Sequence, residues 1–306
     1  MELVQKIGKR VFLAVFSLFV IITLTFFLMN LVPGDPFMSE KATPEARAIL
    51  RAKYGLDQPI YIQYVKYMKQ LLHGDMGNSY VMQKGRAVSE IITESFATSM
   101  KLGVRALILA ICVGIPLGCI AGLWKDRAPD GVIRVVSSIG ISVPGYVIAA
   151  VLMLILAVHL RLLPTSYSKP GGSIMPILTL AIYPTCYLIR LTRASILEVL
   201  NQDYLRTEKA KGMSNRVVIF VHALKNSLIP IITYLGPLTA SILTGGFVAE
   251  SVFNVPGLGR YFVSAISARD YTIIMGTTIF YAALIIFMNL VCDILYQVVD
   301  PRIKLD

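Results

Sequence analysis

The stretch "VFLAVFSLFVIITLTFFLMNLV" at residues 11–32 carries no charged side chain and sets the class of the fold. A helix needs about 20 apolar residues to cross a hydrocarbon core roughly 30 Å thick. This stretch is also longer than the apolar core of a signal peptide, about 7–15 residues, and no small-residue cleavage site follows it. It is therefore predicted to be a retained first transmembrane helix.

Five further apolar stretches have the same character. The chain is 56% hydrophobic and only 15% charged, whereas a soluble protein carries about 25% charged residues. Irregular backbone cannot face lipid, so each stretch is predicted to be a helix. The sequence thus predicts an all-α integral membrane protein with six spans at residues 11–31, 101–123, 135–157, 174–194, 228–249 and 274–296.

Lysine and arginine are distributed unequally between the two sides of these spans. Segments 1–10, 125–134, 190–225 and 301–306 hold 15 of them, whereas segments 158–173 and 250–273 hold 4. Short cytoplasmic loops carry the excess of positive charge, so both termini are predicted to be cytoplasmic. The net charge of +11 fits an anionic inner leaflet better than it fits nucleic acid.

The long segment after the first span, residues 33–98, is predicted to be a folded helical element on the outer side. Within it, "LDQPIYIQYVKYMKQLL" has apolar side chains at helical spacing. That stripe either packs on the outer ends of the spans or forms a docking surface for an extracytoplasmic partner. Its members are Tyr61, Tyr64, Val65, Met68, Leu71 and Leu72.

The second span has two further features. Small residues recur every four positions at Ala110, Gly114, Gly118 and Gly122, which predicts close helix contact, either within the bundle or at a dimer seam. Lys101 and Arg105 share one helical face near the predicted outer end. They either snorkel to headgroups or line an outer vestibule that attracts a carboxylate-bearing solute.

Motifs for enzyme chemistry are missing from the sequence. It contains no GxxxxGK[ST] phosphate loop, no HExxH and no GxSxG. The three histidines are far apart, and the cysteines lie in apolar stretches that suit packing. Asp293 is an acidic residue inside a predicted span, where interfacial pairing is favoured over proton relay. The sequence therefore predicts no catalytic residue, no metal and no cofactor.

The stretch "LRTEKAKGMSNRVVIF" at residues 205–220 is a charged interruption between the fourth and fifth spans. Gly212 is expected to end a short helix, and Ser214 or Asn215 to begin another. Lipid attraction accounts for the cations, at about 1 kcal/mol each, but not for the acidic residues among them. The pattern predicts a helix, a turn and a second helix at the membrane surface.

The same stretch resembles the cytoplasmic loop of the permease subunits of ABC importers, in their oligopeptide, dipeptide and nickel branch. Arg206-Thr207-Glu208 stand at the E-A-A positions of that loop, and Glu208 replaces a small residue. Further matches cover nearly the whole chain. They are "RTEKAKG" (206–212), "HALKN" (222–226), "LVPGDPF" (31–37), "HGDMGNSY" (73–80), "ESVFNVPGLGRYFVSAISARDYTIIMG" (250–276) and "DILYQVVDPRIK" (293–304).

The resemblance implies a type I ABC importer permease fold without a catalytic site of its own, in a bacterial inner membrane. It implies pairing with a second permease, two ATPase subunits and an external peptide-binding protein, for import of oligopeptides. The implied parts are residues 1–32, the outer segment 33–98, a transmembrane domain 99–300 with its coupling loop at about 197–226, and a tail at 301–306. The implied coupling residues are Arg206, Thr207, Glu208, Lys209, Ala210, Lys211, Gly212 and Met213, supported by His222, Leu224 and Asn226.

Two alternatives remain open at this point. The solute of the same architecture could be a dipeptide or a nickel chelate, because specificity resides largely in the binding protein. In a different class, the chain could be a self-sufficient secondary carrier that needs no ATPase. Transport by the isolated chain separates that class from an ABC permease.

Overall fold

The computed structural model describes residues 2–31, 37, 43–214, 217–244 and 246–299. Over these residues nearly all regular structure is helical, and extended pairing is limited to one isolated bridge between Asn78 and Ala87. The predicted all-α class is confirmed. The predicted tail at 301–306 lies outside the described residues.

Twelve α-helices follow one another along the described residues. Two short π-helical segments, Met153–His159 and Val218–Ala223, interrupt the series. The helices are α1 (Glu2–Leu31), α2 (Pro44–Tyr54), α3 (Ile60–Leu72), α4 (Val88–Leu123), α5 (Ala128–Ser142), α6 (Gly145–Leu152), α7 (Ile174–Leu200), α8 (Asp203–Ala210), α9 (Leu224–Thr244), α10 (Phe247–Val252), α11 (Leu258–Ala268) and α12 (Tyr271–Val299).

The chain divides into two compact units. Unit 1 comprises Met1–Ser99 and Pro256–Ile286, and unit 2 comprises Met100–Val255 and Phe287–Asp306. Unit 1 therefore holds the segment after the first helix together with α11 and most of α12. Unit 2 holds most of α4 and the helices from α5 to α10.

Five stretches of helix are long and apolar enough to cross a membrane, and they correspond to five of the six predicted spans. The predicted third span, 135–157, differs because α5 and α6 are bent by 106° at the break between them. Pro144 offers no backbone N–H and disfavours helical backbone in the residue before it, and Val143 is accordingly extended. The count reaches six only when this bent pair is taken as one span.

Helix α4 begins 13 residues before the predicted span, at Val88 instead of residue 101. Its first turns are only moderately apolar in sequence, but Val88, Ile91 and Ile92 are buried in a cluster with Ile273. Tertiary packing therefore extends the helix beyond the apolar run that marks it in the sequence.

In unit 1, α3 packs along α1 and α12. Tyr64, Met68 and Leu71 lie against a buried cluster that includes Phe26 and Met275. The Tyr64 hydroxyl also forms a 2.8 Å hydrogen bond with Thr23 Oγ1. This half of the predicted stripe is therefore a packing surface, whereas its other members, Tyr61, Val65 and Leu72, are exposed.

In unit 2, the small residues of α4 lie directly against α7. A Cβ atom added to Gly118 would fall 2.5 Å from Thr192 Cβ and 2.8 Å from the Ile189 carbonyl oxygen. One added to Gly114 would meet Leu188, and one added to Gly122 would meet Ile196, at under 3.0 Å. Of the two sequence alternatives, packing within the chain accounts for this face.

We expect Gly118→Leu to destabilise unit 2 by at least about 1–3 kcal/mol, because α4 and α7 must move apart to admit the side chain. The matched control is Gly131→Leu, since a Cβ added at Gly131 meets no atom within 4 Å. Thermal unfolding of the purified protein in detergent measures both. Equal melting temperatures for the two variants would contradict the close contact.

Candidate functional site

The candidate site is the connection between α7 and α9, which contains the short helix α8. This helix begins at Asp203, directly after a turn that follows Leu200, and ends at Ala210. Asp203 in the first turn suits the positive end of the helix dipole. Thr207 Oγ1 donates to the Asp203 carbonyl oxygen at 3.2 Å. The predicted short helix is present, from Asp203 to Ala210.

A left-handed residue ends α8. Gly212 has φ +84°, and the backbone N–H of Met213 donates to the Glu208 carbonyl oxygen at 3.4 Å. This six-to-one bond over a left-handed residue is the usual glycine stop of a helix. A residue with a Cβ atom would be strained at Gly212, although its surroundings are open.

Glu208 is the residue of α8 that replaces a small residue in the loop pattern that the sequence resembles. Its Oε1 accepts from Lys211 Nζ at 3.2 Å, so a local ion pair spans the last turn of α8 and the residue after it. Its Oε2 is buried and has no hydrogen-bond partner among the described residues. The side chain therefore turns partly inward instead of lying free on the surface.

Two contacts anchor α8 to the chain that follows it. Leu205 is 2% exposed and packs in a cluster with Val218 and Ala223. Asn226 Nδ2 donates to the Tyr204 hydroxyl at 2.8 Å. The structure thus brings Asn226, a predicted support residue, against α8, while Leu224 is the first residue of α9.

The opposite side of the same segment faces away from the chain. Thr207, Ala210, Lys211, Gly212 and Met213 are all exposed. The side chains of three further predicted residues, Arg206, Lys209 and His222, lie outside the described part of the structure. The described residues therefore present a short helix that is held on one face and open on the other.

A buried ion pair ties α5 to α7 near this site. The guanidinium of Arg193 donates to both carboxylate oxygens of Asp130, at 2.6 and 2.8 Å. Asp130 is fully buried, and its Oδ2 also accepts from the Asp126 backbone N–H at 3.0 Å. Arg193 lies about two turns before the end of α7, so the pair braces the helix that leads into α8. No local sequence pattern pairs two residues so far apart.

A second carboxylate, Asp270, organises the segment after the first helix in unit 1. It is fully buried and accepts hydrogen bonds from Ser79 Oγ at 2.6 Å and from the backbone N–H groups of Val81 and Met82 at 2.9 Å each. The Tyr80 N–H, at 3.2 Å, and the Thr272 hydroxyl, at 2.9 Å, donate two further hydrogen bonds to the same carboxylate. The carboxylate thereby fixes the loop that follows α3 to the start of α12.

Burial of Asp270 raises the pKa of its carboxyl group, but the hydrogen bonds from Ser79 and from three backbone N–H groups outweigh burial, so its pKa is lowered. In the sequence, Asp270 stands inside the longer matched motif at 250–276. Two sequence features could have pointed to its role: Asp270 is an acidic residue immediately before an apolar span, and the loop at 73–80 is rich in glycine and polar residues.

The two cations of the predicted vestibule lie on α4 and are both exposed. At a rise of about 1.5 Å per residue, Lys101 and Arg105 lie about 33 and 27 Å along the helix from Leu123. They are therefore near one hydrocarbon boundary if Leu123 is near the other. The side chain of Asp293 lies outside the described residues.

The long apolar helices, with an anchored and partly exposed short helix between α7 and α9, define an integral membrane protein. The chain belongs to the family described as "Binding-protein-dependent transport system inner membrane component", which matches residues 114–305. The family "Binding-prot-dependent transport system membrane comp, N-term" matches residues 3–105. The resemblance predicted from the motifs is confirmed.

Relatives match the chain over nearly its full length. The dipeptide transport system permease protein DppB of Bacillus subtilis (strain 168) is 43% identical over 299 residues, covering 97% of each chain. The oligopeptide transport system permease protein OppB of Haemophilus influenzae is 40% identical, covering 99% of this chain and 100% of that protein. OppB of Escherichia coli (strain K12) is 38% identical with the same coverage.

Solved structures confirm the predicted type I importer permease fold. A chain of the MetNI methionine ABC transporter in inward facing conformations has a TM-score of 0.56 at 11% identity, covering 69% of this chain and 97% of that one. A chain of an amino acid ABC transporter solved with histidines has a TM-score of 0.52 at 17% identity, with 70% and 95% covered. At these identities the likeness concerns the fold alone.

Proposed function

We propose that the chain is a translocation subunit of an ATP-driven importer of peptides. It pairs with a second, related permease to form the pore, and an extracytoplasmic binding protein delivers the peptide. Both termini and α8 face the cytoplasm of a bacterial inner membrane. Relatives named as dipeptide and oligopeptide permeases support the peptide class, since they match this chain from end to end.

The observation that carries the proposal is the geometry of α8. A helix that transmits the movement of an ATPase subunit to this chain must be fixed to the chain on one side and accessible to the ATPase subunit on the other. Leu205 and Tyr204 supply the fixed side, and Thr207, Ala210 and Met213 supply the accessible one. ATP is hydrolysed on two separate subunits, one of which engages the segment from Arg206 to Met213.

Lys101 and Arg105 belong to the outer vestibule in this proposal. Both are exposed on α4, about 33 and 27 Å along the helix from Leu123, which lies at the proposed cytoplasmic side. Two cations at the mouth of the pore would attract the carboxylate of an arriving peptide. That Lys101 and Arg105 attract the peptide remains a prediction of the proposed import function.

Gly212→Val is expected to uncouple the importer. A β-branched residue cannot adopt φ +84° without strain, so the end of α8 must rearrange. In the complete complex in proteoliposomes, we expect peptide uptake to fall at least about tenfold while peptide-independent ATP hydrolysis continues. The matched control is Gly85→Val, which imposes similar strain at φ +80° in equally open surroundings outside the coupling segment.

Normal coupled uptake by Gly212→Val would contradict the role of α8. The isolated chain in liposomes should show neither ATP hydrolysis nor gradient-driven uptake. Uptake by the isolated chain would instead favour a secondary carrier. This experiment is independent of the Gly212→Val experiment, so each tests a different part of the proposal.

A further inference from the structure

A cavity of about 260 Å³ lies inside unit 1, apart from the coupling segment. Its walls come from the end of α1, the turn between α2 and α3, one side of α3, the loop at 75–80 and the start of α12. It is half open, and its lining is both polar and aromatic. The proposed translocation role makes no use of this cavity.

The polar lining of the cavity is cationic. Lys53 and Lys66 both line it, and neither ammonium forms an ion pair within the described residues. Lys53 Nζ lies 5.7 Å from the centre of the Tyr54 ring. A Cβ atom added to Gly55 would fall 3.6 Å from Lys66 Nζ, which places that ammonium over the turn between α2 and α3.

A buried, neutral hydroxyl group accompanies the two lysines. The Tyr67 hydroxyl oxygen is buried and has no hydrogen-bond partner among the described residues, although Tyr67 lines the cavity. Burial raises the pKa of Tyr67, so the phenol stays protonated and can donate. A buried hydroxyl without a hydrogen-bond partner is unfavourable, and an acceptor in the cavity would satisfy it.

The carboxylate in the lining does not neutralise the two lysines. Asp75 also lines the cavity and carries one negative charge, and its Oδ1 accepts from the Gly77 N–H at 2.8 Å. Two ammonium groups against one carboxylate leave a net positive site. Lysine is a common phosphate binder as a point charge, and a neutral phenol donor complements it.

The other side of the cavity is apolar and belongs to a membrane helix. Phe26 and Met29 line it, whereas Phe27, Leu28 and Leu31 on the same turns of α1 are exposed. The cavity therefore adjoins apolar surface at the end of a transmembrane span. A ligand with an anionic head and apolar chains matches both parts.

We propose that this cavity binds a phosphate group carried by an anionic phospholipid of the leaflet at which α1 ends. The phosphate lies between Lys53 and Lys66 and accepts from the Tyr67 hydroxyl. The acyl chains lie along the exposed side of α1. The bound headgroup fills the space between α1, α3 and α12 and so stabilises unit 1.

The test compares lipid retention by the purified full chain in native mass spectrometry. The probes are phosphatidylglycerol and phosphatidylcholine, with inorganic phosphate and glycerol phosphate as soluble competitors. We expect the double variant Lys53→Gln/Lys66→Gln to lose at least about fivefold in retained phosphatidylglycerol, because both charge contacts are removed. Tyr67→Phe should give a smaller loss without altering the fold.

The matched control is Lys69→Gln/Lys169→Gln, which removes two exposed lysines that do not line the cavity. It should retain phosphatidylglycerol as the unmodified chain does. Equal retention by the two double variants would overturn the proposal, and so would equal binding of phosphatidylcholine. Displacement of the lipid by millimolar inorganic phosphate would show a free-phosphate site and overturn the lipid source.

Discussion

Replacement of Asp270 by alanine is expected to lower the free energy of unfolding of unit 1 by at least about 3 kcal/mol, since each buried donor left unsatisfied costs roughly 1–3 kcal/mol. The carboxylate is fully buried. Ser79 and the N–H groups of Val81 and Met82 would lose their acceptor together. The loop after α3 should then detach from the start of α12.

Limited proteolysis of the loop at 73–87 and thermal unfolding in detergent measure this effect. Asp270→Asn keeps the shape but places an amide where donors converge, so it should be nearly as damaging. Asp75→Ala is the control, because that exposed carboxylate in the same loop accepts one local bond from Gly77. Unchanged cleavage in both Asp270 variants would contradict the anchoring role.

The same network predicts how stability depends on pH. The pKa of Asp270 is lower in the folded protein than its ordinary value. Its contribution is therefore complete above the unfolded pKa of about 3.9 and is lost as pH falls through the folded pKa. The melting temperature of the unmodified chain should fall more steeply below about pH 4 than that of Asp270→Ala.

The second large effect is expected at the ion pair between α5 and α7. Arg193→Met leaves the carboxylate of Asp130 buried without its partner, at a cost of about 3–5 kcal/mol. Arg134→Met is the matched control, since Arg134 is an exposed arginine on α5. Thermal unfolding of the two variants should differ by several degrees.

A double variant separates stability from mechanical coupling. Asp130→Leu/Arg193→Met removes both charges, and such replacements of buried pairs are often neutral or stabilising. If the pair only stabilises α5 and α7, uptake by the complete complex should recover with stability. If it also holds α7 in line with α8, stability should recover while ATP-driven uptake stays low.

At the third span, the composition of the sequence and the path of the backbone differ. The run at 135–157 is apolar enough to cross a membrane, but Pro144 bends it by 106°. The apolar composition predicts that these residues are buried in the membrane, and Pro144 marks a position where the helix can be interrupted. The angle depends on how α6 packs against α7 and α10, and no local pattern contains that information.

In the proposed coupling segment, from Arg206 to Met213, one feature was likewise predictable from the sequence, and the contact that anchors the segment was not. Gly212 was identifiable as a helix stop because only a residue without Cβ takes φ +84° cheaply. The hydrogen bond from Asn226 to Tyr204 was not identifiable, because it joins residues across a turn whose path the sequence leaves open. The ion pair at Asp130 and the hydrogen bonds to Asp270 could not be predicted either, because their partners lie far apart in the sequence.

The membrane class, the all-helical backbone, the approximate spans and the family were predictable from the sequence alone. These follow from apolar run length and local motifs, and each is a property of neighbouring residues. Three features became visible only in the folded chain: which small residues of α4 meet α7, which half of the α3 stripe is buried, and which buried carboxylates organise the interior of each unit. Those features depend on residues that are distant in the sequence and meet at van der Waals or hydrogen-bond distance. The strength of such a contact changes steeply with the distance between the two groups, and local sequence patterns do not specify that distance.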